Sequence, residues 1–510
     1  MDYQFFEPVK NIDRKIDILK SKTSPFFRKK GENMALRLFR FAVENVSAYR
    51  SFLLENKINY KEVKNISDFK RLPIMDKSNY LKKFEYKNLF PKESLKYATT
   101  ISATSGTTGE PFYFPRGEEQ DWQYYYIADI FLRNQWDIGN KKTLGIIGFG
   151  LGVWIGGIFT YKNFNKIASE VGNFSLVPVG PNIDMYMKVF KKLSGFYDQI
   201  ILMGYPPFIK DVVDEASNYG VDLKKYKIKI LTGAEGYSEK FRDYLAKKSG
   251  INNPALDIIN IYGTVEMGTM AHETPIANLI RKISINNEIL FKKIFPKADR
   301  VPTLAQYHPD IIHFEEVNGE VIASGYGSSI PLLRYRFPDM GGVISFDEMV
   351  KIFKSSGIDL LDEAKKIKIN HTIMRLPFVY VYDRSDNAAS LVGIILYPEY
   401  IRSGICDENV SKNLTGKFTM ITKNNKNQNQ YLEVNIELKR KNNLRNHKKL
   451  KERIKKSIVE SLIKNSTEYN YLYNTDFKRY GKSLIPKIIL WPYQHEKHFK
   501  PGGKQKWVKK

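Results

Sequence analysis

Residues 103–111 read Ala-Thr-Ser-Gly-Thr-Thr-Gly-Glu-Pro, a hydroxyl- and glycine-rich loop following an apolar stretch. Its chemistry is that of an anion cradle. Gly106 and Gly109 let backbone N–H groups approach an anion closely, and Thr104, Ser105, Thr107 and Thr108 add hydroxyl donors around it. No lysine completes the pattern G-x-x-x-x-G-K, so this is not a Walker loop. Taken alone, such a stretch also reads as a solvated turn. Its weight comes from four further motifs downstream: LTGAEG (231–236), IYGTVE (261–266), LLRYRFPD (332–339) with YDRSDN (382–387), and PGGKQK (501–506). Gly233, Ala234 and Glu235 follow the strand-like KIKIL, where small residues let a flat base lie against the backbone. Tyr262 offers an aromatic face for such a base, and Glu266 offers carboxylate oxygen, the donor a hard divalent cation prefers.

The five motifs in this order resemble those of the adenylate-forming superfamily. Within it the chain looks most like the phenylacetate–CoA ligase branch, which includes capsule-biosynthesis members. The resemblance runs from about residue 95 to the C-terminus. It implies ATP-dependent, AMP-forming activation of a carboxylic acid to an acyl-adenylate, with coenzyme A as the expected acceptor. Transfer to an amine or a carrier-protein thiol, transfer of AMP itself, and a catalytically inactive nucleotide-binding homologue are the alternatives. A carboxylate must attack an α-phosphorus in this chemistry, so the site has to offset charge between two anions. By resemblance, Thr104, Ser105, Gly106, Thr107, Thr108 and Gly109 hold the pyrophosphate, while Gly233, Ala234, Glu235, Tyr262, Gly263 and Thr264 surround the adenine side. Glu266 holds Mg²⁺, Asp339 accepts the ribose hydroxyls, and Arg384 contacts the ribose–phosphate region. Asp386 is the hinge, and Lys504 reaches the reacting phosphate and carboxylate. A surface aspartate capping a turn after Pro338 is an equal local reading of Asp339, and a solvated tail is the ordinary reading of Lys504. Two positions depart from the pattern. Phe112 stands where the family often has lysine, and Val265 stands where a hydroxyl usually precedes the glutamate.

The segment from Leu144 to Tyr161 has 18 residues without a charge, close to the length of a membrane span. Six of the 18 are glycine, which disfavours a lone helix, so a buried strand running into a glycine-rich pocket loop is expected. By resemblance this is the acid-pocket region, with Phe149 and Trp154 suggesting an apolar or aryl acid and His272 as a further lining residue.

The 510 residues carry a formal charge of +26, with lysine spread throughout the chain. Residues 439–456 hold ten Lys/Arg against one Glu, a run able to attract CoA phosphates or an acidic carrier protein. No helix-turn-helix, zinc-finger or RNP-type signature accompanies the charge, so nucleic acid is not the expected partner. A lone cysteine, Cys406, and an N-terminus without an apolar signal-type stretch suit a cytoplasmic location.

The elements that must position these motifs follow from periodicity. Residues 1–98 read as a mostly helical part of a large domain, and 99–385 as an α/β adenylation core of alternating strands and helices. KTLGIIGFG, QIILMGY, KIKILTGAE and DIINIYG each end in a glycine-bearing loop, the edge of a sheet where ligands gather. Near Asp383 the texture changes, and 386–510 reads as a small, mobile α+β domain carrying Lys504. Leu450, Ile454, Ile458 and Leu462 form an apolar helical stripe in it, and 423–430 reads as a hairpin loop.

Overall fold

Short β-branched runs alternating with amphipathic helices dictate a layered sheet, and the computed structural model shows one. The structure describes residues 5–6, 11–92, 94–104, 111–152, 155–298, 301–384, 388–439, 447–495, 498–499 and 507–508. The chain divides into two compact units. One comprises Met1–Ala103 with Tyr113–Asp383, the other Thr104–Phe112 with Arg384–Lys510.

The first unit opens with the helices Ile12–Ser21, Ser24–Asn45 and Ser47–Glu55, followed by short turns. Strands β1 (Thr100–Ala103) and β2 (Tyr113–Arg116) then pair antiparallel. The large sheet is built from β3 (Thr143–Ile147), β4 (Phe174–Pro178), β5 (Gln199–Gly204), β6 (Ile228–Gly233) and β7 (Ile258–Thr264). It continues with β8 (Gly268–His272), β9 (Thr303–Gln306), β10 (Ile312–Val317), β11 (Glu320–Gly325), β12 (Leu332–Ile344) and β13 (Phe378–Arg384). Their spatial order is β10-β11-β12-β13-β9-β8-β7-β6-β5-β3-β4. Strands β3 to β7 run parallel, whereas β7–β8, β8–β9, β9–β13, β11–β12 and β10–β11 pair antiparallel. Helices Ile183–Leu193, Pro206–Glu215 and Glu239–Ser249 bury Phe190, Phe208, Val212 and Leu245 against the parallel half. A second core under β9 and β13 gathers Ile280, Leu290, Met349 and Phe353.

The uncharged segment resolves into β3, a loop, and the helix Ile155–Val171. Gly145 and Gly148 are required by packing: a Cβ on Gly145 would lie 2.6 Å from the Leu176 and Met203 side chains, and one on Gly148 only 2.1 Å from Phe208. Among the described residues no helix is long and apolar enough to cross a membrane.

In the second unit β14 (Ala389–Leu391) and β15 (Ile394–Leu396) form a hairpin. Strands β16 (Leu414–Asn424), β17 (Gln430–Leu438) and β18 (Lys487–Trp491) form a mixed sheet. Asn424 pairs with Gln430, so the polar stretch closes a hairpin as expected. The helix His447–Asn465 buries Ile454, Ile458 and Leu462, with Leu450 packed at the edge of the same core. Residues 440–446 of the basic run lie outside the described residues. Near the C-terminus, Val508 bridges to Met420, and Trp507 sits between the Phe418 ring at 4.9 Å and the Arg402 guanidinium at 4.4 Å.

Candidate active site

Parallel pairing of β6 with β7, Gly233 opposite Ile261, sets the LTGAEG turn beside the IYGTVE strand end. The turn is held from below by a buried polar network. Thr232 Oγ1 lies 2.9 Å from Asn260 Oδ1, and Asn260 Nδ2 donates to the Glu235 carbonyl at 3.0 Å. The Asn260 N–H donates to Glu273 Oε2 at 2.9 Å, which also accepts from Arg242 Nη2 at 2.8 Å. Arg281 pairs with the other Glu273 oxygen and donates from Nη2 to the Tyr237 carbonyl at 2.6 Å. Arg242 completes the network through Glu239 at 2.9 Å. Burial pushes the Glu239 carboxyl up, but Arg242 and Arg281 outweigh it and hold the group ionised below its ordinary range. Ala234 sits at φ 77°, a left-handed conformation that costs a residue with a Cβ about 1–2 kcal/mol.

Two residues far apart in sequence meet across the sheet. The Tyr262 hydroxyl donates to Asp339 Oδ2 at 2.6 Å. Asp339 lies within β12 and is 7 % exposed, so it is not the surface turn residue that its local sequence equally suggested. The strand continues through Pro338 and sets this carboxylate inward.

Glu266 lies in the turn between β7 and β8. The Thr264 hydroxyl accepts the Met267 N–H at 3.2 Å, tightening that turn. Arg116, which no motif flagged, is its main support. This arginine is fully buried; its Nε donates to the Gly327 carbonyl at 3.0 Å and its Nη2 to the Val265 carbonyl. Burial lowers the Arg116 pKa to about 10, opposed by the charges of Asp121 and Glu266. Val265 therefore acts here through its backbone. Lys77, from the single helical turn Lys77–Leu81, is a second cation in the field of Glu266; burial lowers its pKa and the Glu266 charge opposes that. Gly263 has no room for a side chain, since a Cβ would come within 2.5 Å of the Gly268 carbonyl oxygen.

Phe149 is buried next to the turn after β6. A Cβ on Gly233 would touch its ring at 3.8 Å, and Tyr205 packs edge-on to it at 5.4 Å. His272 does not join them. Its ring is fully buried 4.9 Å from Phe131 and 6.1 Å from His308, with Nδ1 2.9 Å from the Glu273 carbonyl oxygen. Burial lowers its pKa to about 4. The structure places His272 in the core, where β8 turns it toward the helix Glu118–Trp136.

In the second unit, Thr104 clamps the neck of the hydroxyl loop. Its N–H donates to the Phe112 carbonyl at 3.0 Å, and its Oγ1 accepts the Phe112 N–H at 3.2 Å. Ser105, Gly106, Thr107, Thr108 and Gly109 lie outside the described residues, as do Trp154, Asp386 and Lys504. Arg384 ends β13, with its side chain likewise outside the description.

No family model matches the chain. It is similar to the phenylacetate–coenzyme A ligase of Thermus thermophilus, 23% identical over 240 residues that make up 46% of this chain and 49% of the relative. The chain thus spans about half the length of the curated relative it matches. Among solved structures it is similar to a 2-hydroxyisobutyryl-CoA ligase in complex with 2-HIB-AMP and CoA, with a TM-score of 0.63 at 13% identity, covering 100% of this chain and 94% of that one. An open conformation of the same ligase gives a TM-score of 0.54 at 12% identity, covering 100% and 97%. The chain has the fold of the adenylate-forming ligases.

Proposed function

We propose that this chain is an AMP-forming acid–thiol ligase that converts a carboxylic acid to an acyl-adenylate and then passes the acyl group to coenzyme A. The observation that carries this is the Tyr262–Asp339 pair beside the Gly233–Ala234–Glu235 turn, in a chain with the adenylate-forming fold. The Asp339 carboxylate is suited to accept two ribose hydroxyls, while the Tyr262 ring and the small turn residues would bracket a flat base. The Glu266 carboxylate, with hard oxygen donors, fits Mg²⁺; the ion would neutralise charge on the triphosphate. Thr104, Ser105, Gly106, Thr107, Thr108 and Gly109 are assigned to the departing pyrophosphate, Arg384 to the adenylate, and Lys504 to the developing charge at the α-phosphate. Asp386 is assigned as the hinge, allowing the unit carrying Lys504 to deliver it for adenylation and withdraw it for thiol attack. Phe149 and Tyr205 suit an apolar acid. The ATP requirement and the single cysteine suit the cytoplasm.

The test is carboxylate-dependent ATP–pyrophosphate exchange across aryl, fatty and amino acids, comparing the native chain with Lys504→Ala. Exchange confined to one acid class is expected, falling about a hundredfold in the variant, the cost of one lost transition-state contact. Adding CoA should then release AMP and form the thioester. ATP binding without exchange for any acid would refute the ligase reading, and AMP retained on the acceptor would refute the thiol step.

A further inference from the structure

Lined by none of the candidate-site residues, a cleft of about 580 Å³ opens in the first unit between the end of the helix Ile12–Ser21, the helix Phe346–Lys354 and residues 370–375. Its surface is mostly apolar, with Phe346, Val350 and Ile373 as floor and wall. Its charged groups are three cations against one carboxylate, beside the neutral Asn370 and His371. Lys20, Lys351 and Arg375 line it, with Asp347 as the only carboxylate. That carboxylate is already occupied: Oδ2 accepts the Ser24 N–H at 3.1 Å, and Oδ1 accepts from Arg375 Nη2 at 2.9 Å. The Arg375 guanidinium lies 5.6 Å over the Phe346 ring, which fixes its plane against the apolar floor. Its Nε is a buried donor without a hydrogen-bond partner. The Arg375 N–H also donates to the Leu19 carbonyl at 2.8 Å, tying Lys20 and Arg375 to one rigid junction.

Lys20 is half-buried at the mouth of this cleft. Desolvation lowers its pKa, and the charge of Asp17 only partly opposes that. A partly desolvated ammonium beside two further cations, with one carboxylate between them and an apolar floor below, leaves positive charge in excess that a negative group would answer. A bare inorganic anion would leave the floor wet, and a neutral apolar molecule would leave the cations unanswered. An anion carrying an apolar body satisfies both.

We propose that this cleft is a binding site, separate from the candidate active site, for a small amphiphilic anion whose phosphate or carboxylate head is held by Lys20 and Arg375 and whose apolar body lies on Phe346, Val350 and Ile373. None of these residues belongs to the constellation around Tyr262 and Asp339, so the assignment stands or falls independently of the ligase reading.

The experiment is calorimetric titration of the full chain with octyl phosphate, octanoate and octanol. Saturable binding of at least one anion is expected, and the better one identifies the head group; octanol should not bind. Lys20→Glu should weaken binding at least about tenfold, the loss of a charge-assisted hydrogen bond, and Val350→Trp should abolish it by filling the cleft. Lys351→Glu, on the exposed rim, carries the same direction of effect and serves where Lys20→Glu does not fold. Asp339→Ala should leave binding unchanged. No saturable binding of either anion, binding indifferent to all three cleft variants, or binding lost in Asp339→Ala would each overturn the proposal.

Discussion

The Tyr262–Asp339 hydrogen bond joins two motifs 77 residues apart at 2.6 Å, and it separates their roles. Asp339→Ala should weaken ATP binding by about 1.5–3 kcal/mol, the worth of hydrogen bonds to a charged group, and Tyr262→Phe by less because the ring remains. Nucleotide titration distinguishes the two, and equal affinities in the native chain and Asp339→Ala would remove Asp339 from the site. Both residues were legible as motif positions, but their contact was not, because it depends on sheet order. Arg116 was illegible altogether: its importance comes from reaching the Val265 and Gly327 carbonyls, which share no pattern with it. The histidines carry a pH prediction at the same scale. Burial holds His272 near 4, His308 near 3 and His313 near 4, well below the ordinary value of about 6.5. The unfolded chain therefore takes up three protons that the folded chain refuses. This contribution is complete above about pH 6.5 and is lost as pH falls toward 4. Glu119, raised to about 7 by burial despite the Phe5 and Phe6 N–H groups it accepts, holds a proton when folded and so opposes one of the three. Two net protons give a slope of at most about 3 kcal/mol per pH unit. Thermal melts should fall steeply from pH 6.5 to 5, and His308→Gln should flatten the curve. A melting temperature unchanged over that interval would contradict this account.

Among the elements, the turn after β6 depends on charges sealed beneath it. Arg242, Arg281, Glu239 and Glu273 are each no more than 4 % exposed, so removing one charge leaves another buried without compensation. Arg281→Met should destabilise the chain by about 3–5 kcal/mol, measured by denaturant unfolding, and loss of nucleotide binding should accompany it before global unfolding. A variant as stable as the native chain would mean that water enters the network. Exposed pairs such as Lys282 with Asp243 should contribute less than about 1 kcal/mol. Elements with clean periodicity were legible: the parallel strands and the apolar stripe on His447–Asn465. The antiparallel half of the sheet was less so. In β12, Pro338, Gly341 and Gly342 interrupt the strand pattern, yet a Cβ on Gly341 would lie 1.9 Å from the Tyr380 carbonyl oxygen, so close approach to β13 requires glycine. The helix Glu118–Trp136 is buried on nearly every face, which erases the amphipathic signal that would mark it.

At the scale of the whole molecule, the chain divides at Asp383/Arg384. The assignment of Thr104–Phe112 to the second unit was not legible, since the segment lies far from the rest of that unit in sequence. The second unit nevertheless has a core of its own. Among the described residues its buried cluster, from Ala389 to Leu490 with Trp507 and Val508 packed against it, draws none from before Ala389. Ile458 and Leu462 of the helix His447–Asn465 meet Phe418, Val434 and Ile436 of the sheet in that cluster, so both layers are covered from within. A fragment of about 120 residues with a closed core is large enough to fold alone. Residues 388–510 expressed by themselves should therefore give a cooperative thermal transition with mixed helix and strand circular dichroism. Ile458→Ala should lower its stability by about 2–5 kcal/mol, the cost of a cavity at a fully buried position. If the fragment is unfolded while the same substitution still destabilises the full chain, its core requires residues before 388, and the unit is compact without being autonomous.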